Sequence, residues 1–289
     1  MKVSESSEQV RAAVRAAKSD GRRIGFVPTM GALHEGHMSL VRAARQQCPY
    51  VVVSIFVNPT QFGPNEDFEK YPRNLERDRQ MLEAEGVSLL FAPSVEEMYP
   101  AGATTFVTVE NLSDKLCGRS RPEHFRGVAT VVSTLFHIIE PELAFFGQKD
   151  AAQAAIIRRM ARDLKFDVRI VVCPTVRESD GLAMSSRNAY LSPSERKQAL
   201  VLFRALSRVQ TLADQGQADS SNLMVAAKSV LAEEPGVRLD YVEIVDPESL
   251  EPVSDVSKGA LVAVAAFVGK TRLIDNVLLT GVGKAKKLG

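Results

Sequence analysis

Two histidines three residues apart, His34 and His37, close the segment PTMGALHEGH at residues 28–37. An apolar run at 24–27 enters this Pro/Gly loop, and a helix is predicted to follow it. At that spacing both imidazoles fall on one face of the first helical turn. The same turn offers unpaired backbone N–H groups and the positive end of the helix dipole, a seat for phosphate. Two histidines placed there can donate hydrogen bonds to phosphate oxygens and stabilise charge as an α-phosphate is attacked. Gly36 puts no side chain between them, so a base or ribose can approach the backbone. A zinc-protease helix needs histidines four apart, which this segment lacks. Any other zinc site would be short of ligands, since only His124 and His137 remain and no cysteines cluster. No G-x-G-x-x-G fingerprint occupies this first turn. Taken alone, the pair also fits two packing or surface histidines.

Three more loops carry side chains suited to an anionic, hydroxylated ligand. Residues 143–146 are followed at once by Gly147-Gln148-Lys149-Asp150 and a helix bearing Gln153. Lys149 therefore sits at a strand's carboxyl end, where an ammonium can reach phosphate as a point charge. Asp150 can cap the next helix or hold a ribose hydroxyl or a metal-bound water. The stretch PTVRESDGLAMSSRNAYLS at 174–192 sets Ser185, Ser186 and Arg187 in a row, several phosphate donors on a loop long enough to close as a lid. It also reads as a linker at a domain boundary. Gln61, in the turn after the run at 51–56, offers an acceptor and a donor that suit a hydroxy acid, or a structural turn amide.

The elements that must position these loops alternate. Apolar runs at 24–27, 51–56, 88–91, 143–146 and 168–172 read as strands, most of them continuously apolar, as expected when both faces are covered. Helical patterns at 38–47, 75–85, 128–139 and 151–164 lie between them. Such alternation predicts an α/β fold with a doubly wound parallel sheet, whose ligands sit beyond the carboxyl ends of its strands. After Arg187 the pattern changes. Ser192 caps and Pro193 opens a helix running to about residue 215, a second helix covers 221–233, and strands follow at 241–245, 260–268 and 272–279. We therefore expect a domain at 1–187 and a smaller C-terminal α+β domain at 188–289.

In a chain of 289 residues, Lys+Arg 36 against Asp+Glu 35 leaves a net charge of +1, without the basic excess that binds nucleic acid or an anionic membrane. The N-terminal residues show no secretory pattern and no stretch is long enough to cross a bilayer. Cys48, Cys117 and Cys173 stand far apart with no C-x-x-C pair, as in a reduced, cytoplasmic protein. The basic tail, Lys284, Lys286 and Lys287, reads as a solvated end.

The blocks PTMGALHEGH, SIFVNPTQFGPNEDFEKYPR, RPEHFRGVATVVSTLF, AFFGQKDAAQ and PTVRESDGLAMSSRNAYLS together resemble the pantothenate synthetase family, within the nucleotidyltransferases that carry H-x-G-H. They span the first two-thirds of the chain in the family's order. H-x-G-H alone marks only the superfamily; its combination with NPTQF, GQKD and MSSRN is specific. The resemblance implies a Rossmann-like domain with a smaller lid domain, and an enzyme that joins pantoate to β-alanine through a pantoyl-adenylate. ATP and Mg2+ would be used, and a homodimer is implied. An alternative within the superfamily is a nucleotidyltransferase that adenylates another small acid or a phosphorylated acceptor.

By the same resemblance ATP contacts fall on Pro28, Met30, Gly31, Ala32, Leu33, His34, Glu35, Gly36 and His37. They also fall on Gly147, Gln148, Lys149 and Asp150, on Val176, and on Met184, Ser185, Ser186 and Arg187. His37, His34, Lys149, Ser185 and Arg187 would do the chemistry. Gln61, Gln153 and Met30 would hold pantoate and β-alanine, and Arg121 and His124 belong to a block near the cleft. Gln148 stands where many members carry Glu, and Arg187 where the wider superfamily often has Lys. Asp78 and Asp150 are candidate magnesium ligands, with the metal set itself unassigned.

Overall fold

The computed structural model describes residues 1–64 and 66–280; the basic tail lies outside the described residues. In chain order the elements are β1 (Lys2–Ser4), α1 (Ser7–Ser19), β2 (Ile24–Thr29), α2 (Glu35–Gln47), β3 (Tyr50–Ile55), α3 (Leu75–Ala84), β4 (Leu89–Phe91) and α4 (Val95–Met98). There follow α5 (Cys117–Ser120), α6 (His124–Ile139), β5 (Leu143–Gly147), α7 (Ala151–Asp163) and β6 (Arg169–Cys173). The chain ends with α8 (Pro193–Asp214), α9 (Ser220–Leu231), β7 (Val237–Val245), β8 (Ala260–Val268) and β9 (Thr271–Leu279). They form two compact units. The first holds Met1–Asp114, Arg121–Gln148 and Ile156–Val176; the second holds Lys115–Ser120, Lys149–Ala155 and the described chain from Arg177.

The first unit is built on a six-stranded sheet in the order β1-β4-β3-β2-β5-β6, every pairing parallel. Strand order reverses between β2 and β5, which places the loops after Thr29 and Gly147 at the switch point where such sheets bind ligands. Both faces are covered, which explains the continuous apolar strands. Val27 joins Met38, Val41 and Ala44 of α2 on one side, while Phe26 meets Phe136 of α6 edge-on at 6.4 Å. The short edge strand β1 was not expected, because three residues with one apolar side chain give no periodic signal.

The second unit packs α8 and α9 on one face of the antiparallel sheet β7-β8-β9. Its α8 starts as the sequence predicts, with a capping box between Ser192 and Glu195 and Pro193 in the first turn. The strand β7 begins four residues earlier than expected and carries a bulge between Leu239 and Tyr241. The compact units also differ from the expected division after residue 187. Residues 177–187 go with the second unit because their polar side chains find partners there, and two short earlier segments join it. All three cysteines are buried and unbridged, and no helix among the described residues is long and apolar enough to cross a membrane.

Candidate functional site

In the first unit the site begins where β2 ends. Gly31 and Ala32 both take positive φ, at 78° and 50°. For Ala32 that conformation costs about 1–3 kcal/mol and persists only where the surroundings enforce it. Asp78 of α3 enforces it. Its carboxylate is 1% exposed and its Oδ1 accepts the Leu33 N–H at 2.9 Å. A β-carbon on Gly31 would stand 3.0 Å from Asp78 Oδ2 and 3.0 Å from Ile55, so only glycine fits the turn. Burial lifts the Asp78 carboxyl above its ordinary range, against hydrogen bonds from Leu33 and Ala32. Asp78, a candidate magnesium ligand from sequence, is thus engaged in holding the loop.

The expectation that both histidines lie in the first helical turn needs correction. Helix α2 starts at Glu35, three residues earlier than predicted, and His34 is its N-cap. His34 Nδ1 accepts the Gly36 N–H at 3.1 Å, and His37 Nδ1 accepts the His34 N–H at 3.3 Å. The rings lie 4.1 Å apart between centroids. With each Nδ1 accepting, the neutral rings carry their protons on Nε2, so both present an N–H donor of fixed tautomer. The His34 and Gly36 N–H groups are thus taken up by the rings and the His37 N–H by His34 O at 2.8 Å, and two ring donors share the capped helix end. Leu33 is 1% exposed, its N–H donating to Asp78 and its carbonyl accepting from Arg77 Nη1 at 3.1 Å, so both backbone groups are engaged within the turn. Glu35 is exposed and paired with Arg42.

The structure brings Met30 and Gln61 to the same place: Gln61 Nε2 lies 3.0 Å from Met30 Sδ. Sequence reasoning missed the residue that orients this amide. Asn58, 1% exposed, accepts the Thr60 N–H at 3.3 Å and donates from Nδ2 to Gly127 O at 3.1 Å. Those backbone partners fix which end of the amide is which, so Nδ2 also donates to Gln61 Oε1, at 3.1 Å. Gln61 is left presenting its Nε2 donors. Its own carbonyl accepts from His124 Nδ1 at 2.9 Å, and Arg121 stands 3.0 Å from His124 Nε2. An arginine can only donate, which puts the histidine proton on Nδ1. Arg121 also forks onto Glu66 with two contacts of 2.6 Å. Burial pushes the Glu66 carboxyl up, but the hydrogen bonds and charge of Arg121 outweigh it and hold the group below its usual range.

Gln148–Asp150 form a single 3-10 turn that runs directly into α7, with Gln148 ending a segment of the first unit and Lys149 opening one of the second. Gln153 follows in the first turn of α7, half-buried like Lys149 and Asp150. The loop at 174–192, the fifth block, closes through a bridge between Arg177 and Ala183. Ser185 then caps a 3-10 turn, Ser186–Tyr190, its oxygen accepting the Arg187 N–H at 3.3 Å. Asn188 Nδ2 donates to Glu178 Oε1 at 2.8 Å and to Ala183 O at 3.1 Å. Arg196 of α8 holds Glu178 and Asp180, at 2.8 and 2.7 Å. Val176, Met184, Ser185, Ser186 and Arg187 are all half-buried. Among the described residues no three His, Cys, Asp or Glu side chains gather as metal ligands.

Residues 2–278 match the family model described as pantoate-beta-alanine ligase. The chain belongs to the pantoate-beta-alanine ligase family. It is 61% identical to the pantothenate synthetase of Koribacter versatilis over 99% of this chain and 98% of that protein. The crystal structure of the Thermus thermophilus pantothenate synthetase covers 97% of this chain and all of that one, at 50% identity and a TM-score of 0.92. The Francisella tularensis pantoate-beta-alanine ligase, crystallised with β,γ-ATP and β-alanine, superposes with a TM-score of 0.79 at 34% identity, covering 96% and 97%. Membership of this ligase family extends the likeness seen in the five sequence blocks to the C-terminal strands, where motif content is thin.

Proposed function

We propose that this ligase condenses pantoate with β-alanine in two steps on one bound nucleotide. The pantoate carboxylate attacks the α-phosphorus of MgATP, forming the acyl–phosphate bond of pantoyl-adenylate and expelling pyrophosphate. The β-alanine amine then attacks the acyl carbon, AMP leaves, and the amide remains. The observation that carries this reading is the self-capped histidine pair at the start of α2, with both Nε2 donors fixed at a helix end.

In this reading His37 and His34 stabilise charge on the α-phosphate as it becomes five-coordinate. Ala32, Leu33 and Gly36 shape the turn against which the nucleotide lies. Lys149, Ser185 and Arg187 neutralise the leaving pyrophosphate, and Ser186, Met184, Val176, Gly147 and Gln148 line the nucleotide. Gln61 and Gln153 hold pantoate; with Oε1 occupied by Asn58, Gln61 reads the acceptor oxygens of the acid through Nε2. Alignment of two anions is worth about 7–11 kcal/mol of barrier, which explains a rigid bed of hydrogen bonds under one glutamine.

Magnesium enters as MgATP, a hard ion typically held by one or two carboxylates and substrate phosphates rather than a protein cage. Asp150 would be its protein carboxylate, since Asp78 already holds Leu33. A homodimer in the cytoplasm belongs to the same reading, tested by sedimentation of the purified chain and by fractionation. The reaction is tested by incubating the chain with ATP, pantoate and β-alanine. AMP, and pyrophosphate exchange that needs pantoate but not β-alanine, are expected. ADP formation would replace the adenylate by an acyl phosphate and overturn the reading.

A further inference from the structure

We propose that Asp275 and Asn276, adjacent residues of β9, are positioning residues that set Lys149 and the 177–187 loop for adenylation. The inference rests on the roles assigned above to those two segments. Neighbouring residues of a strand point to opposite faces of the sheet, and this strand uses both.

Asp275 lies on the helix-covered face, where Leu273, Val277 and Leu279 share its parity and belong to the apolar layer under α8 and α9. A carboxylate 4% exposed in that layer is the exception along the strand. Its partner is Arg177, which donates from one guanidinium nitrogen to Oδ2 at 2.6 Å and from the other to Oδ1 at 3.0 Å. That fork dictates orientation as well as contact. The same guanidinium donates to Gly181 O at 3.0 Å and lies over the Phe203 ring at 4.8 Å. The bridge between Arg177 and Ala183 closes the turn two residues before Ser185. Asp275 therefore fixes the root of the loop that presents Ser185, Ser186 and Arg187.

Asn276, also 4% exposed, faces the other way. Its Nδ2 donates to the backbone carbonyl of Lys149 at 2.9 Å. A carbonyl only accepts, so the amide orientation is settled. The bond anchors the main chain from which the ammonium extends, and leaves the ammonium itself to the phosphates. Asp275 Oδ1 also accepts the Asn276 N–H at 2.7 Å, tying the two anchors together. Two catalytic segments distant in sequence thus take their places from one dipeptide.

The test is pantoate-dependent ATP–pyrophosphate exchange by the full chain, with Asn276→Asp, Lys149→Ala and their combination. Asn276→Asp keeps the shape and turns the donor into an acceptor against Lys149 O. Displacement on the scale of an ångström costs up to about 10²-fold, so exchange should slow by about tenfold or more. Asn276→Ser, which keeps a donor, should recover part of the rate. If Asn276 acts through Lys149, the double variant is no slower than Lys149→Ala alone, to within about threefold. Multiplying effects, or Asn276→Asp exchanging at the native rate, would overturn the proposal. Should Asn276→Asp not fold, Asn276→Ala in the same cycle gives the same decision. Asp275→Asn with Arg187→Ala forms the parallel cycle for the other face, with the same expected non-additivity. If Lys149→Ala exchanges normally, it is the role given to Lys149 that fails, and this inference with it.

Discussion

The H-x-G-H turn of the first unit and the 177–187 loop of the second both carry side chains assigned above to phosphate, but they are held in different ways. The histidine turn largely holds itself. The His34 ring caps its own helix, the His37 ring returns to the His34 N–H, and Asp78 ties down the strained residues before them. The second loop leans on partners from elsewhere: Arg196 of α8 grips Glu178 and Asp180, and Asp275 of β9 grips Arg177. A self-capped turn ties chemistry and scaffold to the same side chains. A braced loop separates them, so remote substitutions can tune it without touching a ligand. The comparison makes different predictions for each region.

The largest effect is expected in the self-capped turn. His37→Ala removes an Nε2 donor and the acceptor that holds the His34 N–H at once. Adenylation should fall by about 10²-fold or more, as when one preorganised donor to a developing oxyanion is lost. Single-turnover formation of pantoyl-adenylate measures it; a near-native rate would show that the turn is scaffold only. Next comes Gly127→Ala in α6. A β-carbon there would lie 2.4 Å from Thr60 O and 2.7 Å from Gln61 N, both backbone atoms. Forcing the chain aside should cost roughly 1–3 kcal/mol of stability. It should also raise the KM for pantoate more than that for ATP, because the displaced residue is Gln61. Equal changes in both would break the assignment of Gln61 to the acid.

What could be read from the sequence follows the same division. The parallel sheet was legible because strands covered on both faces are continuously apolar, and its loops declared themselves by position at the strand exits. His34, His37, Lys149 and Ser185 stood out as candidates by residue type at such places. The cap at His34 was not, because imidazole is a rare N-cap and the first apolar periodic residue, Met38, points to a later helix start. Asn58 was hidden within a turn that reads as turn chemistry, and its role depends on Gly127, a contact across 69 residues. Asp275 and Asn276 carried no signal at all: a polar pair inside an apolar strand acquires meaning only from partners 98 and 127 residues away.

Asp78→Asn tests how far the histidine turn depends on its anchor in α3. The amide keeps an acceptor for Leu33 but sets an N–H2 near a cluster of N–H donors, so ATP turnover should drop, by less than for His37→Ala. Stability should respond to pH with a definite sign. Burial raises the folded-state pKa of Asp78 above its unfolded value, so the group favours the fold fully below the unfolded value, about 3.9. That contribution is lost as pH rises through the folded-state value. Asparagine does not titrate. Urea midpoints of the variant should therefore gain on the native chain as pH rises from about 4 to 7. A constant gap would mean that the carboxyl is not perturbed by burial.

The smallest effect separates bracing from general stability in the second unit. Asp219 caps α9, its carboxylate accepting the Asn222 N–H at 2.9 Å, well beyond the residues assigned to phosphate along the chain. Asp219→Ala should cost about 1 kcal/mol, a fall of roughly 2–4 °C in melting midpoint. Pyrophosphate exchange at 25 °C should not change, because a frayed first turn of α9 leaves Arg177, Asp275, Arg196 and the loop between Ser185 and Arg187 in place. The contrast with Asp275→Asn is then decisive. If both variants melt equally early and only Asp275→Asn loses exchange, the strand acts on the loop by orienting it. If Asp219→Ala slows exchange as much, any weakening of this unit suffices and β9 has no special hold on the chemistry.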